Sequence, residues 1–436
     1  MHQSRLLKEL EKLEFSELKI AMTLSDYLED YNLRSNSDVS RYSRAFETLK
    51  YFVKYFNVIL KSLLRPQKNY TNNLLGHLFV SSNKRNYDKI ISPLVQSFEN
   101  TLVISPHFGN KDSTINTFNE NLVGYYQFWN WYSLFSPVYD DFDSLVSIYF
   151  TDNDLYYNRN FFKYIFAVQT TKVLRAHSFI ANNSIKSVIV DFDRSHICSP
   201  FILVANQKKI PTYTFIHGVP TLNNGYFPFI ALNIFIWGNH QRKLFEKLIE
   251  PHQHLFDVGK HWQILLNRNK FQNVIIALNG DEVVESDLLY KWDKFANILK
   301  SHGKILYIRP HPANDRKRII DIAKKFKNIT LDLDNGNLSY DILVCSETSF
   351  AFDAVYGESL VLIFENYIKK GSLNEFLLMN KVAYDVGSML ELEDILFGDN
   401  CEIVYKLLID NIIDFKREHW SVIGKDSLST ISKLLV

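Results

Sequence analysis

Two series of short, almost wholly apolar runs constrain this chain more than any other feature. The first reads "TLVISPHFG" (101–109), "SLVSIYF" (144–150), "SVIVDFD" (187–193), "PTYTFIHG" (211–218) and "NIFIWG" (233–238). The second reads "FQNVIIALNG" (271–280), "KILYIRPHP" (304–312), "NITLDL" (328–333), "YDILVCSETS" (340–349) and "SLVLIF" (359–364). Short apolar runs bounded by turn residues read as strands buried on both faces. Between them lie helical patterns: "NFFKYIFAVQTTKVLRAHSFIANN", about 196–207, 286–301, near 315–327 and near 349–356. Strands alternating with helices predict parallel sheets with helices on both sides. The expected fold is therefore α/β, two Rossmann-like doubly wound domains facing a cleft, with a helical N-terminal extension.

The boundaries follow from the same pattern. Residues 1–100 read as a helical region packed on the first domain, 101–262 as that domain, 263–415 as the second, and 416–436 as a helix crossing back to the first. "HLFDVGKHW" (254–262) reads as an extended piece entering the linker. Within the first region, "SRLLKELEKLEF" and the stretch 40–65, which stops before Pro66, have helical spacing. The aromatic and basic mixture of 40–65 suits a membrane surface, while packing against the main body is the commoner fate of such a helix.

Bulk numbers exclude several classes. The chain has 436 residues, enough for two domains, and 46% of them are hydrophobic. Its net charge of +1 lacks the basic excess of a dedicated nucleic-acid binder. Cys198, Cys345 and Cys401 stand far apart, without metal-ligand spacing, as in a reduced cytoplasmic protein. The N-terminus shows no signal-peptide apolar core, and no uncharged apolar run reaches the ~20 residues that span a bilayer. No GxGxxG fingerprint and no Walker lysine motif occur, so neither a dinucleotide cofactor nor a P-loop is expected.

Candidate chemistry sits at strand ends. Arg309-Pro310-His311-Pro312 ends one strand of the second series, and two prolines there stiffen a turn that aims a guanidinium and an imidazole. Ser346, Thr348 and Ser349 end another strand just before a helix, where free N–H groups and hydroxyls suit a phosphate or simply cap the helix. Gly280 can bring backbone amides toward the same anion, and Glu365 can accept from ribose hydroxyls. In the first series Asp191 and Asp193 end "VIVDFD" and His217 ends "YTFIHG". Asp193, furthest out, is the preferred base or nucleophile. Asp191 has a structural reading as a buried cap. "DFD" also spells an Asp-X-Asp metal pair, a reading discounted because two successive α/β domains leave phosphate binding to the second. His107 and Asn110 in "SPHFGNKD" (105–112) are either cleft-lining or part of a solvated loop.

"RPHPAND" (309–315) followed by "YDILVCSETSFAFDAVYGESLVLIFE" (340–365) resembles the second domain of two-domain (GT-B) glycosyltransferases of bacterial surface polysaccharides. In the sialyl-, polysialyl- and Kdo-transferases a His-Pro motif and a later Ser-Ser/Thr motif contact the cytidine monophosphate of the donor. Teichoic-acid glycerophosphotransferases are similar. "IHGVP", "IFIWG" and "VGK" also resemble the end of the first domain in this group; the likeness spans roughly 185–365. "SETS" departs from adjacent serines, which leaves open whether Ser346, Thr348 or Ser349 takes the phosphate role.

The resemblance implies a metal-independent, cofactor-free glycosyltransferase. Its donor is expected to be a nucleotide sugar, CMP-linked Kdo or sialic acid being favoured. Its acceptor is a capsule, O-antigen or lipooligosaccharide glycan, lipid-linked, reached from the cytoplasm with peripheral contact at the inner membrane. Arg309, His311, Pro312, Ser346, Thr348, Ser349, Gly280 and Glu365 would bind the donor; Asp193, His217 and Asp191 would act on the acceptor side. The alternatives are a CDP-polyol phosphotransferase and a non-catalytic scaffold of a polysaccharide-synthesis complex.

Overall fold

The computed structural model describes residues 41–64, 75–105, 116–119, 139–148, 150, 157–216, 226–261, 271–278, 286–310, 315–333, 341–346, 348, 350–364, 373–398, 400–421 and 424–435. The chain divides into two compact units: Met1–His217 with Gly225–Trp262 and Val422–Val436, and Gly218–Asn224 with Gln263–Ser421. Helix Gly424–Leu435 thus belongs with the first unit, where the Ser427 hydroxyl donates to the Val258 carbonyl at 2.5 Å.

The first unit carries a seven-stranded parallel sheet. Its strands are β1 (Leu75–Val80), β2 (Thr101–Ser105), β3 (Asn116–Asn119), β4 (Ser184–Val190), β5 (Thr212–Phe215), β6 (Asn233–Ile236) and β7 (His254–Asp257). Their order across the sheet is β3-β2-β1-β4-β5-β6-β7. The second unit carries six: β8 (Asn273–Ala277), β9 (Ile305–Arg309), β10 (Thr330–Leu331), β11 (Ile342–Cys345), β12 (Leu360–Phe364) and β13 (Tyr384–Val386), in the order β10-β9-β8-β11-β12-β13. Both are doubly wound sheets of Rossmann type, as the alternating pattern predicts. "HLFDVGKHW" is not merely a lead into a linker: its first four residues form edge strand β7, paired with β6.

Two elements differ from the sequence reading. The region 1–100 is not all helical, because "LGHLFV" forms β1 at the centre of the first sheet, paired with β2 and β4. Leu78, Phe79 and Val80 are completely buried. Gly76 makes this possible: its φ is +151°, and a Cβ there would fall 1.7 Å from the Asn100 carbonyl oxygen. Only glycine lets the two chain segments approach so closely.

"SLVSIYF" was expected as a strand and lies in a helix over 139–148. Tyr139, Phe142, Val146 and Phe150 recur three or four residues apart and are all buried, which is a helical stripe. Phe142 meets Phe166 at 4.9 Å between ring centres, and Phe150 meets Phe162 at 5.3 Å. These partners come from helix Arg159–Ala181, whose start is capped by Asn158 accepting from Phe161 N–H.

Helix Arg41–Leu64 packs on the same helix. Tyr51 lies edge-on to Phe161 at 4.8 Å, and Tyr55, Val58 and Ile59 lean on the first unit's core.

Candidate functional site

In doubly wound sheets ligands bind beyond the carboxyl ends of the strands, where the strand order reverses. In the second unit that point lies between β8 and β11. Ala277 of β8 is level with Arg309 of β9 on one side and with Cys345 of β11 on the other. The Leu278 N–H donates to the Arg309 carbonyl at 3.0 Å, so the β8 and β9 ends leave the sheet together. Pro310, next along, is buried.

The Arg309 side chain reaches past β8. Its guanidinium carbon sits 3.9 Å from the centre of the Phe350 ring, the first residue of helix Phe350–Tyr356 after β11. A guanidinium on an aromatic face gains electrostatic attraction and stacking. One guanidinium nitrogen lies 3.5 Å from Asp332, whose side chain is almost fully buried just beyond β10. Phe350 N–H donates to the Thr348 hydroxyl at 3.2 Å, so Thr348 caps this helix. The Asn374 amide, from helix Leu373–Met379, donates to the Ser346 carbonyl and fixes the turn from behind. Arg309, Ser346 and Thr348, chosen from two motifs of the sequence, therefore stand at the ends of β9 and β11, the two strands that flank β8. Asp332, Phe350 and Asn374 hold them there. Sequence reasoning missed these three. Asp332 at a strand end was the one available signal; the aromatic platform and the amide brace have none.

His217, Gly280, His311, Pro312, Ser349 and Glu365 lie outside the described residues, as do His107 and Asn110.

The first unit's reversal lies between β1 and β4, and Asp191 stands there. It is fully buried. It accepts from the Ser82 N–H at 2.9 Å and from the Ser82 and Ser81 hydroxyls at 2.9 and 3.0 Å. The Cys198 thiol lies 3.3 Å away. Burial pushes the Asp191 carboxyl up, opposed first by the Ser82 N–H. This carboxylate fastens the end of β1 to the end of β4.

Asp193, expected to stand outermost on its strand end, is only 1% exposed. Its Oδ2 accepts from Ile230 N–H at 2.6 Å and Ala231 N–H at 2.9 Å. Arg194, also 1% exposed, donates to the Phe227 carbonyl at 2.5 Å. The neighbouring acid and base together pin the 227–231 segment over the end of β4. Burial raises Asp193 to about 6, although both backbone donors and Arg194 pull the other way. The two aspartates of "DFD" are thus committed to different donors and do not form a shared cation site. No group of three metal-ligating side chains occurs among the described residues.

The three cysteines are buried, and burial raises each thiol, Cys345 to about 12. Thiols so shifted are not nucleophiles near neutral pH.

No family model matches the chain, and no curated protein sequence matches it. Solved structures with similar folds include the wall teichoic acid polymerase TagF (TM-score 0.49, 10% identity, 90% of this chain and 96% of that one). A second is the glycotransferase of kitacinnamycin (TM-score 0.48, 10% identity, 84% and 100%). A third is the UDP-GlcNAc 2-epimerase from Neisseria meningitidis bound to UDP-GlcNAc (TM-score 0.46, 12% identity, 83% and 99%).

Proposed function

We propose that the protein is a nucleotide-sugar-dependent glycosyltransferase of GT-B type, with the second unit as donor module and the first as acceptor module. The observation that carries this reading is the Arg309–Phe350 contact. It ties the arginine-proline turn after β9 to the hydroxyl-bearing helix start after β11, at the one place in the sheet where the strand order reverses. A leaving phosphate there would meet the Ser346 and Thr348 hydroxyls and the His311 imidazole, which supply transition-state stabilisation without a metal. Arg309 already serves Asp332, so its part is to neutralise that carboxylate and keep the turn against the helix. His311, two residues on, is the group assigned to the phosphate itself.

A CMP-linked acidic sugar, Kdo or sialic acid, is the favoured donor, on the strength of the motif resemblance. The acceptor is then a glycan of the bacterial surface, carried on lipid. Asp193 acts by positioning the 227–231 segment, with His217 as the acceptor-side base.

The test is a panel of CMP-, CDP- and UDP-linked donors, read as nucleotide release together with thermal shift. Cytidine nucleotides should raise Tm, and a CMP-sugar should release CMP. Arg309→Lys keeps a charge for Asp332 but loses the planar stack, and should lower kcat/KM at least ten-fold (about 1.4 kcal/mol). No shift and no release with any donor would overturn the reading. Transfer of a polyol phosphate from a CDP-polyol would replace it with the phosphotransferase.

A further inference from the structure

Helix Arg41–Leu64 shows three faces, and the core accounts for only one of them. At 3.6 residues per turn, Thr48, Tyr51, Tyr55, Val58 and Ile59 fall on the side that packs on the first unit. A second side carries Leu49, Phe52, Val53, Phe56 and Leu60, each between 47% and 60% exposed. The Phe52 and Phe56 ring centres are 6.0 Å apart, so this is a continuous stripe and not a scatter of single residues. Isolated exposed apolar residues are ordinary, but five large ones in register along one helix are not.

The third side lies between these two and is basic. Lys50 and Lys54 are exposed there, with Asn57. The Lys50 ammonium lies 5.7 Å from the Tyr51 ring centre, and the Lys54 ammonium lies 5.2 Å from Tyr51 and 5.5 Å from Tyr164. Both cations are therefore held at the boundary of the packed face, beside the stripe. Between Thr48 and Leu60 the helix carries Lys50 and Lys54 and no acidic residue, in a protein whose net charge is only +1. Both described cations of this helix therefore flank the exposed apolar stripe.

We propose that this helix is a docking face for an anionic lipid bilayer surface, lying flat on it through Leu49, Phe52, Val53, Phe56 and Leu60. An apolar stripe with aromatic rings beside a lysine-rich flank is the pattern of a helix lying in the interfacial plane. Each lysine near an anionic leaflet adds attraction that salt weakens. No described helix is long and apolar enough to cross a membrane, so the contact is with its surface. A second copy of the chain is a poorer occupant. From Thr48 to Leu64 the helix has no carboxylate to pair the lysines of a facing copy. The face belongs to the first unit and the residues assigned to the donor to the second, so its test does not depend on the proposed reaction.

The experiment is flotation of the full-length protein with phosphatidylcholine vesicles, with and without phosphatidylglycerol, at low and high salt. Binding is expected with the anionic vesicles, weaker binding with the neutral ones, and release as salt rises. Phe52→Asp with Phe56→Asp should lower binding at least ten-fold, and Lys50→Gln with Lys54→Gln should flatten its salt dependence. Far-UV circular dichroism and Tm should stay as in the parent, because all four side chains lie on the outside of the helix. Failure of the parent protein to float with anionic vesicles, or unchanged binding of the phenylalanine variant, would overturn the proposal. So would a dimer in light scattering that the phenylalanine substitutions dissociate, since the face would then be occupied by another copy.

Discussion

At the scale of single residues, Asp193 has the most to reveal. Burial pushes its carboxyl up to about 6, well above the ordinary range of an aspartate. A carboxyl with a raised native pKa holds its proton more tightly when folded. The stability it contributes relative to a neutral amide is complete below about pH 4 and is lost as pH rises through 6. A shift of about two units is worth roughly 3 kcal/mol. Asp193→Asn keeps an oxygen to accept from Ile230 and Ala231. It should therefore gain about 2–3 kcal/mol on the parent between pH 4 and pH 8, measured by urea unfolding at stepped pH. Parallel profiles would contradict the buried carboxyl. Turnover should stay within about ten-fold, since its role is to hold backbone; a loss of a thousand-fold with folding intact would make Asp193 the base. The sequence showed an acid at a strand end, and that much was legible. What covers it arrives some 35 residues later, with Ile230 and Ala231, and no local pattern announces it.

At the scale of elements, β1 and the helix over 139–148 teach complementary lessons. β1 has a glycine and a histidine among its first three residues, so its pattern is weak. Its place between β2 and β4 makes it a strand. His77 is accommodated by the Ser187 hydroxyl, 2.8 Å from its ring nitrogen on β4. Gly76→Ala would bring a methyl group into the Asn100 carbonyl on a backbone that L residues rarely adopt. The expected cost is about 3 kcal/mol or more, among the largest single-site effects, read by chemical denaturation and soluble yield. An alanine variant as stable as the parent would show that the two segments do not meet so closely. The helix over 139–148 failed for the opposite reason. "SLVSIYF" is too short a window to separate period two from period three and a half. Only the longer series Tyr139, Phe142, Val146 and Phe150 shows the stripe.

At the scale of the molecule, the two sheets repeat one plan. Ignoring β7, each reads 3-2-1-4-5-6 in its own chain order, with its point of reversal between the first and fourth strands. The two reversals are furnished differently. In the first unit Asp191 commits its carboxylate to Ser81, Ser82 and Cys198. In the second, the Arg309 guanidinium lies on the Phe350 ring, and the Phe350 N–H donates to Thr348, two residues past Ser346. Hydrogen exchange with a cytidine nucleotide should therefore slow amides in 305–310 and 341–356, leaving 184–205 unchanged. Protection centred on 184–205 would place the nucleotide in the first unit and reverse the assignment.

The sequence by itself determined the α/β class, the two successive series of strands and the strand ends at which Arg309, Ser346 and Thr348 stand. These depend on local properties: apolar run length, helical spacing and the stiffness of proline. Tertiary structure alone decided that β1 lies inside the sheet, that Asp193 faces inward, and that Asp332 and Phe350 meet Arg309. Lateral strand order joins residues far apart in the chain, as Ala277 is joined to Arg309 and to Cys345. A carboxylate's surroundings are set by those distant neighbours, so its burial and its pKa come into being only when the sheet closes.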